Sequence, residues 1–197
     1  WLNTHLKKGK IMFVGGQAGS PSSTARYEAT KAALAEYPDL VLVGDTYVEG
    51  GYTVDSRLAG VSGALAKEGC VDAVLTDDGA IDVGVIQAFK QAGCPLPYLG
   101  NSLSTNQLNC EWQKENFPLF QYDGQQTSSV VAFRRMLASI TGAPYDESMW
   151  VNPLPFVDTL DPSKAAPICD ESAPPLTDWS VPLTKDQILE IAADAAQ

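Results

Sequence analysis

The chain has 197 residues, 45% of them hydrophobic, which is enough for one large domain with a buried core. Its formal net charge of −11 argues against a nucleic-acid partner, because phosphates would be repelled and no cluster of Lys and Arg offsets that charge. No stretch approaches the run of roughly 18 apolar residues that a membrane-spanning helix needs.

Cysteine and histidine usage bears on metal sites and on the redox compartment. The four cysteines form no CxxC pair and His5 is the only histidine, so a structural zinc site is disfavoured and no cofactor is predicted. An even cysteine count permits two disulfides, which would place the protein in an oxidising compartment. Four buried thiols explain the composition equally well, and both readings stay open at this point.

Strand and helix signals alternate along the first hundred residues. Leu2 and Leu6 mark the end of a helix that runs into a strand. Short apolar runs predict strands at 10–14, 40–43, 73–75 and 97–100. Helical patterns lie between them, from Ser22 or Ser23 to Tyr37, from Thr53 to Gly69, and from Ile81 to Gly93. This βαβαβαβ pattern, with strands apolar on both faces, predicts a doubly wound, mostly parallel α/β sheet flanked by helices.

The second half of the chain gives weaker signals. A helix is predicted from Leu103 to Glu115, a strand at 119–122 and an amphipathic helix from Thr127 to Ile140. Residues 143–183 are rich in proline and lack periodicity, which predicts an extended tail without a second core. Thr184 to Gln187 reads as a capping box that opens a last short helix. Because the chain opens at Trp1 without a starting Met, we expect it to be a piece whose N-terminal part is absent.

A doubly wound sheet binds ligands outside the carboxyl ends of its strands, where the strand order reverses. For a flavodoxin-like order, that point is lined by residues 15–26 and 76–79, with Asn101 and Ser102 beside them. Two adjacent acids, Asp77 and Asp78, therefore stand where a ligand is expected.

Three chemistries could use these acids. A phosphate cradle is disfavoured, because the Gly15–Gly19 loop matches neither GxGxxG nor a P-loop and the acids would repel phosphate. A phospho-acceptor aspartate would need an acid pair after the first strand and a lysine after the last, and neither is present. Hydrogen bonding to a neutral polyol suits the Asp, Asn, Ser and Gln side chains of this edge, Gln17 among them.

An enzymatic function is disfavoured by the same residues. His5 lies at the far end of the first strand, away from the predicted site. The three serines after that strand lack a visible base. They are Ser20, Ser22 and Ser23.

Two stretches resemble the ribose-binding-like periplasmic substrate-binding proteins, whose fold also occurs in the effector domains of LacI-type repressors. The stretches are GKIMFVGGQAGSPSSTARYEATKAALAEYPDLVLV (residues 9–43) and CVDAVLTDDGAIDVGVIQAFKQAG (residues 70–93). The resemblance covers most of residues 5–142, and the second stretch is its most specific part. It implies a sugar or polyol ligand held by the C-terminal lobe of a two-lobed protein.

The resemblance also implies site residues. Asp78 takes the place of a sugar-contacting asparagine, and Asp77 is expected to be its solvated neighbour or a support behind it. Other positions that correspond to ligand-contacting residues are Thr24 and Arg26 on the first helix, Asn101 or Ser102 after the fourth strand, and Gln121 or Tyr122 at the crossing to the other lobe.

Domain organisation and function follow from the same resemblance. It divides the chain into a C-terminal-lobe α/β domain (1–122), a crossing segment with a helix that packs on a missing N-terminal lobe (123–142), and a proline-rich tail with a short terminal helix (143–197). The implied function is solute binding outside the cytoplasm, in the periplasm or extracellular space, free or anchored as a lipoprotein, in partnership with an ABC transporter permease. The alternative is the cytoplasmic effector domain of a LacI-type regulator, with reduced cysteines; the long tail favours the first reading.

The fold predicts how the cysteines pair. Cys70 and Cys94 each precede one of two neighbouring strands, so their loops meet at the same edge, within the Cα separation of about 4.4–6.8 Å that a disulfide spans. Cys110 then pairs with Cys169 by elimination, which would tie the tail to the lobe.

Overall fold

The structure is a computed structural model, and it describes residues 1–123, 126–147, 154–180 and 184–195. Parts of the predicted crossing segment (124–125) and of the predicted tail (148–153, 181–183 and 196–197) lie outside the described residues.

Helices and strands alternate as the sequence predicts. The strands are β1 (Gly9–Gly15), β2 (Leu40–Leu42), β3 (Val48–Glu49), β4 (Ala73–Thr76), β5 (Tyr98–Ser102), β6 (Leu119–Asp123) and β7 (Leu154–Asp158). The helices are α1 (Leu2–His5), α2 (Pro21–Leu34), α3 (Val54–Glu68), α4 (Val83–Ala92), α5 (Asn106–Glu115), α6 (Gln126–Thr141) and α7 (Lys185–Ala195), and a 3-10 turn spans Gly79–Ile81. None of the helices in the described ranges is long and apolar enough to cross a membrane.

These strands form one sheet in the order β2-β1-β4-β5-β6-β7, with β3 pairing to β1 beyond the end of β2. All pairs are parallel except β6 with β7. The prediction of a doubly wound, mostly parallel sheet with a flavodoxin-like order is confirmed. The strand order places the carboxyl ends of β1 and β4 side by side, with β5 and β6 next to them.

Both faces of the sheet are covered, because its central strands are apolar on both sides. The larger core lies between the sheet and helices α3, α4 and α5; its fully buried members include Met12, Val74, Val85, Phe89 and Leu99. Smaller clusters under α1 and α2 cover the opposite face.

Helix α2 differs from its prediction in where it starts and in which face it buries. It begins at Pro21, because the Ser20 side chain caps it by accepting a hydrogen bond from the Ser23 main-chain N–H. Ser23 and Tyr27, four residues apart, are its buried residues, whereas Ala25, Ala29, Ala32 and Ala33, which the sequence pattern places together on one face, are exposed. The capping residue is therefore Ser20, two or three residues before the predicted Ser22 or Ser23.

The proline-rich tail contains regular structure that the sequence pattern does not reveal. Strand β7 adds to the edge of the sheet, antiparallel to β6. Residues 168–180 pack on the start of α5, where the Asn106 and Gln107 N–H groups donate to the Thr177 and Pro175 carbonyls. The capping box before α7 is confirmed, with Gln187 N–H donating to Thr184 Oγ1 over 3.3 Å.

Both predicted disulfides are present. Cys70 and Cys94 are bonded with their Cα atoms 5.6 Å apart. Cys110 and Cys169 are bonded with a Cα separation of 4.8 Å. The second bond joins α5 to the tail. It therefore fixes the part of the tail around Cys169, which has little apolar core of its own.

Candidate functional site

The carboxyl edge of the sheet brings the predicted site residues together. The β1–α2 loop, the Asp77–Asp78 turn and the end of β5 meet there. Gly79 lets the turn pack directly on β5, since a Cβ atom at this position would lie 2.0 Å from the Ser102 carbonyl oxygen. The chain therefore needs glycine at Gly79 to close this edge.

Asp77 is a support at the centre of the edge. It is 4% exposed, and its Oδ2 accepts a hydrogen bond from the Ser23 hydroxyl. Its main-chain carbonyl accepts hydrogen bonds from Arg26 Nη1 (2.8 Å) and Ser102 Oγ (3.2 Å). Of the two roles left open for Asp77, the solvated one is therefore wrong: this residue links α2, β4 and β5.

Asp78 lies beside it, partly exposed at the edge. Its Oδ1 accepts a hydrogen bond from the Ala80 N–H over 3.0 Å and so caps the 3-10 turn. The cap fixes the orientation of a carboxylate that remains at the surface.

Three further predicted residues lie on the β1–α2 side of this edge. Arg26 is partly buried and bonded to the Asp77 carbonyl, whereas Thr24 is exposed and its hydroxyl donates to the Ser20 carbonyl over 2.9 Å. Gln17 is exposed, and its main-chain carbonyl accepts a hydrogen bond from the Tyr47 hydroxyl over 2.8 Å. This side of the edge thus exposes the Gln17 amide and the Thr24 hydroxyl to solvent, whereas the Arg26 guanidinium lies deeper.

The residues predicted at the ends of β5 and β6 lie deeper. Asn101 and Gln121 are fully buried neighbours on paired strands, and Ser102 is 2% exposed. Asn101 Nδ2 donates to Asp82 Oδ2 over 3.0 Å. The side-chain amide of Gln121 has no hydrogen-bond partner within the described ranges. Three of the predicted ligand residues therefore lie beneath the edge.

Tyr122 lies between these buried residues and the surface. Burial raises the pKa of its hydroxyl above the ordinary value; the positive charge of Arg26 opposes this shift, and the charges of Asp77 and Asp82 add to it. Tyr122 therefore lies within electrostatic reach of the charged groups at this edge, and its raised pKa keeps its hydroxyl neutral.

A buried ion pair beneath this edge was not among the predicted site residues. Arg57 and Asp82 are both fully buried, with 3.6 Å between Nε and Oδ1. Asp82 Oδ2 also accepts a hydrogen bond from Thr76 Oγ1 over 2.5 Å. Burial raises the pKa of Asp82 to about 6, although the Arg57 charge and the hydrogen bonds from Thr76 and Asn101 lower it. The sequence signal for this pair is a charged residue at a position of the apolar repeat in each of two helical patterns, Arg57 four residues before Val61 and Asp82 four residues before Ile86.

An aromatic residue at the mouth of the site was missed as well. Tyr52 is 55% exposed, and its ring lies over Gly16, where a Cβ atom would come 2.4 Å from the tyrosine oxygen. A large exposed aromatic directly after Gly50 and Gly51 is the signal that could have identified it. The edge thus offers an acceptor, a donor and an apolar ring face, the set that a neutral hydroxylated molecule requires.

Among the described residues, no group of three or more His, Cys, Asp or Glu side chains could hold a metal ion. Residues 1–105 match the model of the family described as periplasmic binding protein domain. No curated protein sequence matches the chain.

Several solved structures share the fold. An ABC transporter solute-binding protein from Thermobispora bispora DSM 43833 is 22% identical with a TM-score of 0.66, covering 99% of this chain and 58% of that one. One from Actinobacillus succinogenes 130z, with bound D-allose, is 19% identical with a TM-score of 0.64, covering 81% and 55%. A LacI family transcriptional regulator from Arthrobacter sp. FB24, in complex with lactose, is 14% identical with a TM-score of 0.58, covering 80% and 58%. The chain thus spans little more than half the length of these structures.

Proposed function

Because the chain belongs to the periplasmic binding protein family, we propose that it is one lobe of an extracytoplasmic solute-binding protein that takes a sugar or related polyol for import by an ABC transporter. The observation that carries the proposal is the carboxyl edge, where the Asp78 carboxylate, the Arg26 guanidinium and the Tyr52 ring surround the turn after β4. Carboxylates and guanidinium groups bind vicinal hydroxyls with defined geometry, and a ring face accepts the apolar side of a sugar. The family consists of binding proteins, and we propose no catalytic step.

The second lobe is part of the proposal. Helix α6 has an exposed row of large apolar side chains, namely Val130, Phe133, Met136, Leu137 and Ile140. A row of this kind at helical spacing normally packs against another element. We propose that a lobe preceding this chain covers it, and that the ligand lies between that lobe and the edge described above.

The location of the protein follows from family membership and from the cysteines. The family is periplasmic, and two disulfides suit an oxidising compartment. Anchoring as a lipoprotein remains one form of this proposal, and the permease of an ABC transporter remains the proposed partner.

A panel of neutral sugars tests the function directly. We expect at least one of D-allose, D-ribose, L-arabinose, D-galactose and allitol to raise the melting temperature of the full-length protein, because a ligand that binds only the folded state stabilises it by mass action. Differential scanning fluorimetry with increasing sugar concentration measures the shift. A panel in which none of these compounds changes the melting temperature up to millimolar concentration would contradict the proposed ligand class.

The effector domain of a LacI-type regulator is the second candidate, because such a regulator shares the fold. It predicts reduced cysteines in the native protein and a DNA-binding segment before this chain. Peptide mapping without reductant separates the two: intact Cys70–Cys94 and Cys110–Cys169 bonds favour the exported binding protein.

Asp78→Ala is expected to weaken sugar binding by about 1–3 kcal/mol, the range for a lost buried hydrogen-bond partner. Isothermal titration calorimetry measures the change, with circular dichroism to verify the fold. Asp39→Ala is the matched control, because Asp39 is an exposed aspartate at the opposite end of the sheet, next to the start of β2. Equal affinities for the two variants would place the site elsewhere.

Tyr52→Ala is expected to weaken binding by about 0.5–1.5 kcal/mol, because the ring face over Gly16 is lost. Tyr52→Phe keeps the ring and removes only the hydroxyl, so it should bind almost as tightly as the unmodified protein. The same calorimetric titration decides: a loss for Tyr52→Phe as large as that for Tyr52→Ala would assign a hydrogen-bonding role to the Tyr52 hydroxyl and contradict stacking.

A further inference from the structure

Arg57 connects two strand ends at the carboxyl edge from beneath. Its Nη1 donates to the main-chain carbonyls of Val14 and Gly15 at the end of β1, each over 3.4 Å. Its Nη2 donates to the Asp78 carbonyl over 3.3 Å. One buried guanidinium therefore holds the β1–α2 loop and the turn after β4 in a fixed relation.

The Val14 and Gly15 carbonyls, which accept hydrogen bonds from Arg57, also accept hydrogen bonds from main-chain N–H groups of neighbouring loops. The Asp77 N–H donates to the Val14 carbonyl over 3.2 Å, and the Gly50 N–H donates to the Gly15 carbonyl over 3.0 Å. The loop before Tyr52 is thereby joined to the same group. Losing the guanidinium would loosen three segments together.

Asp82 extends the connection to β5. Its carboxylate faces Arg57 and accepts hydrogen bonds from Thr76 on β4 and Asn101 on β5. The ion pair therefore reaches the ends of β1, β4 and β5 and the turn after β4.

The surrounding chain leaves space for this arginine. A Cβ atom at Gly50 would lie 2.8 Å from Arg57 Nη1, and one at Gly84 would lie 3.0 Å from Arg57 Cβ. Glycine at both positions lets a long charged side chain occupy a site between α3 and α4. An apolar residue could fill that space with less cost of desolvation, but it could not bond the three carbonyls.

From these contacts we infer that Arg57 and Asp82 are positioning residues, which set the affinity of the proposed sugar site by fixing its loops without touching the sugar. The inference rests on the proposed function for its effect on affinity. Its effect on the loops can be observed without any ligand.

The decisive variant is Arg57→Met/Asp82→Asn in the full-length protein. It removes both charges, so no uncompensated charge stays buried, and methionine keeps most of the length of arginine. We expect its melting temperature to stay close to that of the unmodified protein, while amide hydrogen exchange becomes at least about tenfold faster at Asp77, Gly50 and Ala80. Exchange at Leu99, whose N–H donates to the Pro118 carbonyl at the opposite edge, should not change.

Val61→Ala is the matched control. Val61 is fully buried on α3, one turn after Arg57, and belongs to the main core. Its truncation leaves a cavity and lowers global stability without touching the loops. We expect a lower melting temperature for Val61→Ala. The exchange rates of the Asp77, Gly50 and Ala80 amides, taken relative to that of the Leu99 amide, should stay unchanged.

Affinity is the second measurement, made with the sugar of the panel that gives the largest thermal shift. We expect the double variant to bind it about tenfold more weakly, and Val61→Ala to bind it with unchanged affinity. Unchanged loop exchange in the double variant, or a change no larger than in Val61→Ala, would overturn the inference. If no sugar binds the unmodified protein, the proposed function fails, whereas the exchange measurement still decides on the positioning role.

Discussion

Replacing Arg57 alone by methionine is expected to lower the free energy of unfolding by about 3–5 kcal/mol near neutral pH. The reason is the partner that stays behind: Asp82 is fully buried and, without the cation that faces it, must either stay charged or take up a proton at a pH far above its unfolded pKa. Urea denaturation followed by circular dichroism measures the loss. The double variant Arg57→Met/Asp82→Asn should recover most of it, because the buried charge is then removed as well.

The loss should depend on pH in a defined direction. Burial raises the pKa of Asp82 to about 6 in the folded protein, above the ordinary value of 3.8. Removing Arg57, whose charge lowers that pKa, raises it further. Between the unfolded and folded values the folded state binds the extra proton, so stability falls as the pH rises through this window. The deficit of Arg57→Met relative to the unmodified protein should therefore be smallest below about pH 6, where Asp82 is protonated in both folded proteins, and should grow as the pH rises to the raised folded pKa of the variant.

Other charged and titratable groups face the same carboxylate. Asp78 raises the pKa of Asp82 through its negative charge, and Tyr122 lies within the electrostatic reach of both Asp77 and Asp82. Asp82→Asn isolates the contribution of Asp82 itself, since it retains an acceptor for Thr76 but does not titrate. A pH dependence of stability that is identical in Asp82→Asn and in the unmodified protein would show that another group is responsible.

Replacing Cys110 and Cys169 by serine is expected to lower the free energy of unfolding by about 4 kcal/mol. The bond joins residues 59 apart, and the chain-entropy model gives this value for a loop of that length. The tail should also become accessible to protease, because the bond anchors it beside Asn106. Asn106 Nδ2, which donates to the Asp170 and Ala173 carbonyls, should keep part of the tail in place.

The second disulfide provides the control for that experiment. Cys70 and Cys94 are 24 residues apart at the other edge of the sheet, and their removal is expected to cost about 3.5 kcal/mol. It should leave residues 159–180 as resistant to limited proteolysis as before. If both double substitutions expose the tail equally, the bond to Cys169 has no local anchoring role.

Local sequence patterns determined most of the fold of the first 122 residues. Strand runs such as Lys10 to Val14 and helical repeats such as Val54 to Leu65 specify their own period, and their alternation admits few sheet topologies. The disulfide pairing followed from that topology. The position of the candidate site followed too, because the edge where Asp77 and Asp78 lie is set by strand order alone.

Tertiary structure decided what the sequence pattern left open. Strand β7 forms because β6 offers an unpaired edge, and its own residues show no alternation that would identify it. Side-chain depth at the site was likewise decided by packing: Asn101 and Ser102 are adjacent in sequence, yet one turns to Asp82 and the other to the Asp77 carbonyl. Arg57 and Asp82 became a pair only when α3 and α4 packed together, because two charges 25 residues apart have no local signal for meeting. The sequence by itself thus determined, through local periodicity, which segments border the candidate site. Only the packing of distant segments decided which side chains reach the surface of that site and which support it from beneath.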